Sequence, residues 1–234
     1  MGGHAEGLFH ALMGAPGRAG LALPGTTLPR RALRAPAGSD AARRFDAHLF
    51  DAHVFACAIS VAAEDAARED RALGPCLGLG TDALEAVIGR YFAPDALLRL
   101  GVPVGAAEAD EEGAILHDFL RGEARPGDEA ARWLSAIIAC RALRPNHLWQ
   151  DLGLRDRGEL NRLLSVHFPL LAAGNTANMK WKKYFYRRLC AQEGFVLCAA
   201  PSCAACTDFD LCFGDESGES RLARTRRAGE EARA

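Results

Sequence analysis

The sequence predicts an all-α protein with a single helical domain. Its 234 residues are sufficient for one domain with tails, and its apolar fraction of 49% and charged fraction of 25% are those of a globular protein. Alanine, a strong helix former, is abundant, whereas aromatic residues make up 7% of the chain. Valine, isoleucine and threonine rarely alternate with polar residues as they do in half-buried strands. Apolar residues recur instead at intervals of three and four, which is the spacing of one helix face.

The first segment, residues 1–39, is rich in glycine and proline and is predicted to be a disordered leader. Because proline fixes φ and lacks an N–H, a long helix is not expected around Pro16, Pro24, Pro29 and Pro36. The segment also contains arginines but no acidic residue between Glu6 and Asp40, a pattern that faintly resembles a transit peptide. A disordered leader is the favoured interpretation.

Residues 40–195 are predicted to form the helical domain. Its first helix begins at a cap, Ser39 or Asp40, and runs to about Arg71, because the apolar residues of FDAHLFDAHVFACAISVAAEDAARED fall mostly on one helix face. The glycines and proline of LGPCLGLG then break the pattern. Thr81 is expected to cap the helix that follows.

The rest of the domain is predicted to be a series of shorter helices. Pro94 opens the first of them, PDALLRLG, and two more follow in ADEEGAILHDFLRG and DEAARWLSAIIACRALR. Asn146 is expected to cap a short helix in PNHLWQDLG, and RGELNRLLSVHF is expected to stop before Pro169. The last helix, NMKWKKYFYRRLCAQEG, ends at Gly194.

Several classes of protein are excluded by what the sequence lacks. It has no run of about 18 consecutive apolar residues and no convincing signal peptide, so we expect a cytoplasmic protein without a membrane span. A net charge of −2 argues against a nucleic-acid binder. The sequence contains no P-loop, GxGxxG, GxSxG or HExxH motif, so we expect a binding protein rather than an enzyme. Residues 215–234 are highly charged and are predicted to be a disordered tail.

Four of the eight cysteines lie within the stretch CAAPSCAACTDFDLC, in a predicted cysteine-rich loop of residues 196–214. They are Cys198, Cys203, Cys206 and Cys212, with the spacing C-x4-C-x2-C-x5-C. Disulfides are not expected in a reducing compartment, which leaves a metal ion or an iron–sulfur cluster. A bound structural metal supplies about 10–16 kcal/mol, which offsets much of the entropy lost in ordering a loop with few apolar side chains.

The spacing favours an iron–sulfur cluster over zinc but leaves both open. Zinc sites usually combine two C-x2-C-like units that are far apart in sequence, whereas this stretch contains one such unit. Its first three cysteines match the C-x4-C-x2-C part of a plant-type ferredoxin. From the spacing alone, the chain could be an iron–sulfur redox or electron-transfer protein or a zinc-stabilised interaction module.

A longer stretch, MKWKKYFYRRLCAQEGFVLCAAPSCAACTDFDLCFG, resembles the C-terminal signature of the NifQ family of nitrogen-fixation proteins. RALRPNHLWQDLGLRDRGEL and HFPLLAAGN resemble the same family, and the similarity extends from about residue 45 to 214. The resemblance implies a carrier that holds a molybdenum–iron–sulfur cluster through the four motif cysteines. It also implies that molybdate or a molybdenum–sulfur species is taken up and that molybdenum is donated to iron–molybdenum cofactor biosynthesis. The implied partners are the nitrogenase iron protein and the cofactor scaffold complex.

The last predicted helix carries basic residues just before the cysteine-rich loop: Lys180, Lys182, Lys183, Arg187 and Arg188. They form either an ordinary solvated helix face or a positive surface that attracts an anion or an acidic partner. The candidate extra ligands are Cys190, His147 and His167. A core thiol and satisfied structural histidines are the commoner roles of such residues.

Overall fold

The fold is helical, as the sequence predicts. The computed structural model describes residues 3–14, 40–109 and 111–192, and these ranges contain helices and no strand. The α-helices in chain order are α1 (Gly3–Met13), α2 (Asp40–Glu69), α3 (Leu73–Leu77), α4 (Thr81–Tyr91), α5 (Glu111–Glu123), α6 (Glu129–Ala142), α7 (Leu148–Asp151), α8 (Arg157–His167), α9 (Pro169–Gly174) and α10 (Trp181–Gln192). A 3₁₀ helix, Pro94–Arg99, lies between α4 and α5, where the sequence predicts a short helix opened by proline.

The chain divides into two compact units, one ending at Ala173 and the other beginning at Gly174. The first unit holds helices α1 to α8 and most of α9, and the second holds α10. The predicted helical domain, 40–195, therefore spans parts of both units. The predicted cysteine-rich loop, 196–214, and the predicted tail, 215–234, lie outside the described residues.

Helix α2 supplies much of the core of the first unit and packs against α1, α3 and α4. Of the residues predicted to form its apolar face, Phe50, Val54 and Cys57 are buried, whereas Phe45, Leu49, His53 and Val61 are half-buried. Phe55, Ile59, Ala62 and Ala66, which lie outside the predicted set, are fully buried, so more of the surface of α2 is buried than predicted. By length and composition alone, Arg43–Glu69 could cross a membrane. Because 56% of its most apolar 18-residue window is buried inside the fold, α2 has the burial of a core helix in a folded domain.

The prediction of a disordered leader needs correction over Gly3–Met13, which form helix α1 and pack against α2. Ala5, Leu8 and Leu12 are buried along one face, at intervals of three and four residues. The four prolines that weigh against helix in this segment all lie after α1, so they do not interrupt it. Residues 15–39 lie outside the described ranges.

The stretch LGPCLGLG, predicted as a break, contains the short helix α3, whose glycines permit close packing. Helix α3 is capped at its C-terminus by Gly78, where φ is +82° and an added Cβ would lie 2.6 Å from the carbonyl oxygen of Ala136 on α6. At Gly74, an added Cβ would collide with the carbonyl oxygen of Ala106. Glycine at these two positions therefore lets α3 lie directly against α6 and against the segment 101–109.

Two predicted caps have other roles. The N-cap of α4 is Gly80, and the hydroxyl of Thr81 donates instead to a loop carbonyl oxygen at 3.4 Å. The N-cap of α7 is His147, whose N–H donates to a side chain one turn further on. Asn146 donates its side-chain N–H to Asp151 at 3.0 Å, so its amide contacts the end of α7 and does not cap its start.

A buried carboxylate–imidazole cluster joins α2, α8 and the start of α6. Nδ1 of His167 lies 2.9 Å from Oδ2 of Asp128, and Nε2 lies 3.1 Å from Oδ1 of Asp51. The hydroxyl of Tyr91 donates to the other oxygen of Asp51 at 3.3 Å. Asp128 also caps α6 by accepting from the N–H of Ala131. His167 therefore fastens three helices through a side chain that is itself buried.

This cluster makes the free energy of unfolding depend on pH. Burial disfavours the charged imidazole, but the hydrogen bonds and negative charges of Asp51 and Asp128 outweigh burial and raise the pKa of His167 above 6.5. The stabilising effect of protonated His167 is thus complete below pH 6.5 and is lost as the pH rises through the folded-state pKa. We expect His167→Gln to destabilise the protein most below pH 6.5, with the difference from wild type narrowing at higher pH. Urea unfolding of both proteins across this range checks the result, and a pH-independent difference would contradict it.

Arg141 is another buried charged residue of the first unit, with an exposed fraction of 1%. Its Nε donates to the carbonyl oxygen of Asp151 at 2.6 Å and its Nη1 to that of Cys76 at 3.0 Å. Its Nη2 forms a 2.8 Å ion pair with Asp65. A single guanidinium on α6 therefore satisfies groups on α2, α3 and α7.

Candidate functional site

The four motif cysteines, Cys198, Cys203, Cys206 and Cys212, lie outside the described residues, and helix α10 is the last described element before them. Within the described ranges, no three side chains of histidine, cysteine, aspartate or glutamate are arranged to hold a metal ion. The structural information on the site therefore comes from helix α10, which precedes the cysteine-rich loop, and from the protonation of the cysteines in the first unit.

The cysteines of the first unit are poor metal ligands as they stand. Burial, and secondarily the negative charge of Glu159, raise the pKa of Cys57 to about 12. Burial also raises the pKa of Cys76 and of Cys140. Because the thiolate is the form that binds metals and acts as a nucleophile, these three residues are in the protonated form expected of core thiols.

Cys57 has two polar neighbours that sequence reasoning missed. Its Sγ lies 3.7 Å from Nε2 of His53, one helical turn earlier, and the same nitrogen lies 3.3 Å from a carboxylate oxygen of Glu159. An activated nucleophile would use one imidazole nitrogen for the thiol and the other for the carboxylate, whereas here both contacts are made to Nε2. Burial also raises the pKa of Cys57, so neither the geometry nor the environment activates the thiol.

The predicted basic residues occupy different environments. Lys183 and Arg187 are exposed and lie four residues apart, so they share one face of α10. Lys182 and Arg188 are half-buried on the same helix. Lys180 is 7% exposed and precedes α10, and its carbonyl oxygen accepts the N–H of Tyr184. The exposed basic surface is therefore smaller than predicted and consists chiefly of Lys183 and Arg187.

Helix α10 begins at Trp181, later than the predicted start at Asn178, because the preceding residues form a turn of their own. The side chain of Asn175 accepts the N–H of Met179 and donates to its carbonyl oxygen, both at 2.8 Å. Asn178 has a φ of +53°, which is incompatible with a continuous right-handed helix. This turn fixes the point at which α10 can start.

Helix α10 has an apolar stripe. Trp181, Tyr184 and Phe185 are buried, and the ring of Trp181 lies 5.7 Å from that of Tyr184 and 6.0 Å from that of Phe185. Cys190 is half-buried near the end of the same helix. The helix therefore has both a packed face and the basic face that holds Lys183 and Arg187.

The two histidines proposed as extra ligands have structural positions. Both ring nitrogens of His167 contact carboxylates, so neither is open to a metal ion in this arrangement. His147 is the N-cap residue of α7 and is half-buried. The partners of His167, Asp51 and Asp128, are far from it in sequence, and no local pattern could have identified them.

Comparison with known proteins identifies relatives of this chain. A protein named "Protein NifQ homolog" from Sinorhizobium fredii is 51% identical over 144 residues, which cover 61% of this chain and 63% of that protein. "Protein NifQ" from Rhodobacter capsulatus is 37% identical over 147 residues, covering 62% of this chain and 81% of the relative. "Protein NifQ" from Azotobacter vinelandii is 43% identical over 109 residues, covering 47% and 54% respectively. No solved structure matches the chain.

The family assignment rests on a longer match. The family model described as NifQ matches residues 54–214, which is more than half of the chain and includes all four motif cysteines. The match begins within α2 and extends through the described helices into the cysteine-rich stretch. The chain therefore belongs to the NifQ family.

Proposed function

We propose that the protein carries a molybdenum–iron–sulfur cluster and donates molybdenum for iron–molybdenum cofactor biosynthesis. Membership of the NifQ family implies a role in nitrogen fixation. The observation that carries the finer proposal is the spacing C-x4-C-x2-C-x5-C, which lies within the family match. Thiolates are soft ligands suited to iron–sulfur centres, and four of them in one short stretch can surround a cluster.

The burial of the three thiols of the first unit supports this choice of ligands. Cys57, Cys76 and Cys140 have raised pKa values, so releasing their protons to bind a metal would be costly. We therefore assign the cargo to Cys198, Cys203, Cys206 and Cys212. In this proposal the cluster is what the protein transports, and the protein acts by binding and delivery rather than by catalysis.

We assign the basic face of α10 a role in attracting the anionic cargo or an acidic partner. Lys183 and Arg187 are exposed on this face, on the last described helix before the cysteines. Exposed charges of one sign raise the local concentration of oppositely charged molecules and speed their association. The nitrogenase iron protein and the cofactor scaffold complex are the partners we propose, in the cytoplasm.

Replacing Lys183 and Arg187 together with glutamine is expected to slow molybdenum loading and transfer while leaving the fold intact. Both side chains are exposed, and surface substitutions of this kind usually change stability by less than about 0.5 kcal/mol. Molybdenum content and the rate of transfer should fall, and the fall should be smaller at high salt because salt screens exposed charges. Unchanged loading and transfer at low salt would contradict a role for this basic face.

The delivery step is tested by using the purified, loaded protein as the molybdenum source for cofactor synthesis. The loaded protein is added anaerobically to an assembly mixture that contains the scaffold complex and the nitrogenase iron protein but no molybdate. We expect cofactor to form in proportion to the loaded protein. A protein that holds iron and molybdenum but supports no cofactor synthesis would show that delivery is not its function.

A further inference from the structure

The first unit contains a half-open cleft of about 680 Å³ that the proposed function does not use. It lies among α3, α5, α6 and the end of the segment 101–109. Its walls are largely formed by small or apolar residues: Pro75, Gly78, Ala107, Ala136, Ala139 and Leu143. This volume falls within the range of about 300–1,000 Å³ typical of small-molecule sites. The cleft can therefore receive the apolar body of a small ligand.

The polar residues that line the cleft include a guanidinium with a weakly held partner. Arg71 pairs with Glu108 at 3.2 Å, and the side chain of Glu108 is 69% exposed. Exposed ion pairs contribute about 0–1 kcal/mol, so another anion can replace this carboxylate at little cost. Arg71 also lies 3.7 Å from Glu69, beyond ordinary hydrogen-bonding distance. An anionic ligand can therefore replace the carboxylate of Glu108 on this guanidinium.

The second arginine of the cleft is held more firmly. Arg144 contacts both carboxylate oxygens of Glu69, at 2.5 and 3.2 Å, and the hydrogen bond to Glu69 raises its pKa. This bidentate pair fixes Arg144 at the wall, where Cys140 and Leu143 also line the cleft. Arg71, in contrast, pairs with a carboxylate that can swing into solvent. Arg71 is therefore the residue on which an external anion can replace a carboxylate of the protein.

We propose that this cleft binds a small organic anion, with an apolar body against the alanine-rich wall and an acid group on Arg71 in place of Glu108. The cleft and its charged residues lie between positions 71 and 144, whereas the cysteine-rich loop begins at residue 196. The site is thus separate in sequence from the cluster ligands, and its test does not depend on the proposed function. Glu108 acts as an internal competitor for the ligand.

The experiment measures binding of 1-anilinonaphthalene-8-sulfonate, which has an aromatic body and one sulfonate, to the full chain by fluorescence titration. Arg71→Gln should weaken binding about tenfold, the effect of losing one charge-assisted hydrogen bond. Glu108→Gln should strengthen binding about threefold, because it removes the competing carboxylate. Arg71→Lys, which keeps the charge, should restore part of the affinity.

Two controls separate anion recognition from general apolar binding. Arg90→Gln removes a matched surface arginine, whose 2.7 Å pair with Glu129 lies outside the cleft, and it should leave binding unchanged. The uncharged probe N-phenyl-1-naphthylamine should bind wild type and Arg71→Gln equally. Equal sulfonate binding by wild type, Arg71→Gln and Arg90→Gln, or the absence of saturable binding, would overturn the proposal. Circular dichroism of each variant confirms that it is folded.

Discussion

Replacing Cys203 and Cys206 together with serine is expected to abolish the binding of both iron and molybdenum. These residues form the C-x2-C unit, and their loss leaves two of the four proposed thiolate ligands. Far-ultraviolet circular dichroism should change little, because the described helices of the first unit have their own buried core. Metal analysis of the anaerobically purified variant, expressed with molybdate, measures the effect.

The matched control is Cys140→Ser. The thiol of Cys140 donates to the carbonyl oxygen of Pro75 at 3.4 Å, and a serine hydroxyl can donate in its place. This variant should retain full iron and molybdenum contents. Retention of both metals by the Cys203/Cys206 variant, or their loss from the Cys140 variant alone, would show that residues other than the proposed ligands bind the cluster.

Arg141→Met is expected to reduce the free energy of unfolding by about 3–5 kcal/mol, because it removes one partner of a buried ion pair. Asp65 would lose its 2.8 Å contact with Arg141 and keep its pair with the exposed Arg68, and the carbonyl oxygens of Asp151 and Cys76 would lose the N–H donors of Arg141. Methionine approximates the length of the arginine stem, so the loss is chiefly one of charge and hydrogen bonds. Urea unfolding monitored by circular dichroism gives the change.

The control for Arg141 is an arginine with a comparable ion pair on the surface. Arg90 pairs with Glu129 at 2.7 Å, but the two side chains are 49% and 54% exposed. Arg90→Met should therefore change the free energy of unfolding by about 1 kcal/mol or less. A similar decrease in the free energy of unfolding in the two variants would contradict the claim that burial makes the ion pair of Arg141 the more stabilising one.

Local patterns in the sequence predicted the helices well where the apolar periodicity is long. Helix α2 is buried at Phe50, Val54 and Cys57, on the face that its apolar spacing predicts. Helix α8 ends at His167, before Pro169, which agrees with the effect of proline on the preceding residue. Short helices were harder to predict, because glycine and proline within α3 act as breakers in isolation but permit close packing in the fold.

Contacts between distant residues could not be predicted from local patterns. The pairs that His167 makes with Asp51 and Asp128 span 116 and 39 residues, and Arg141 reaches Cys76 across 65. Only the folded chain brings such residues together. The candidate cluster ligands, in contrast, can be predicted from the sequence, because all four lie within fifteen residues and their spacing is typical of a metal or cluster site.

The molybdenum–iron–sulfur cargo is tested most directly by metal analysis and electron paramagnetic resonance of the wild-type protein, expressed with molybdate and purified anaerobically. We predict iron and molybdenum together, with a paramagnetic signal in an oxidised or reduced state. Iron without molybdenum would indicate an iron–sulfur redox protein. Zinc alone, with no paramagnetic signal after oxidation or reduction, would contradict the proposed cargo and make the cysteine-rich loop a structural zinc site.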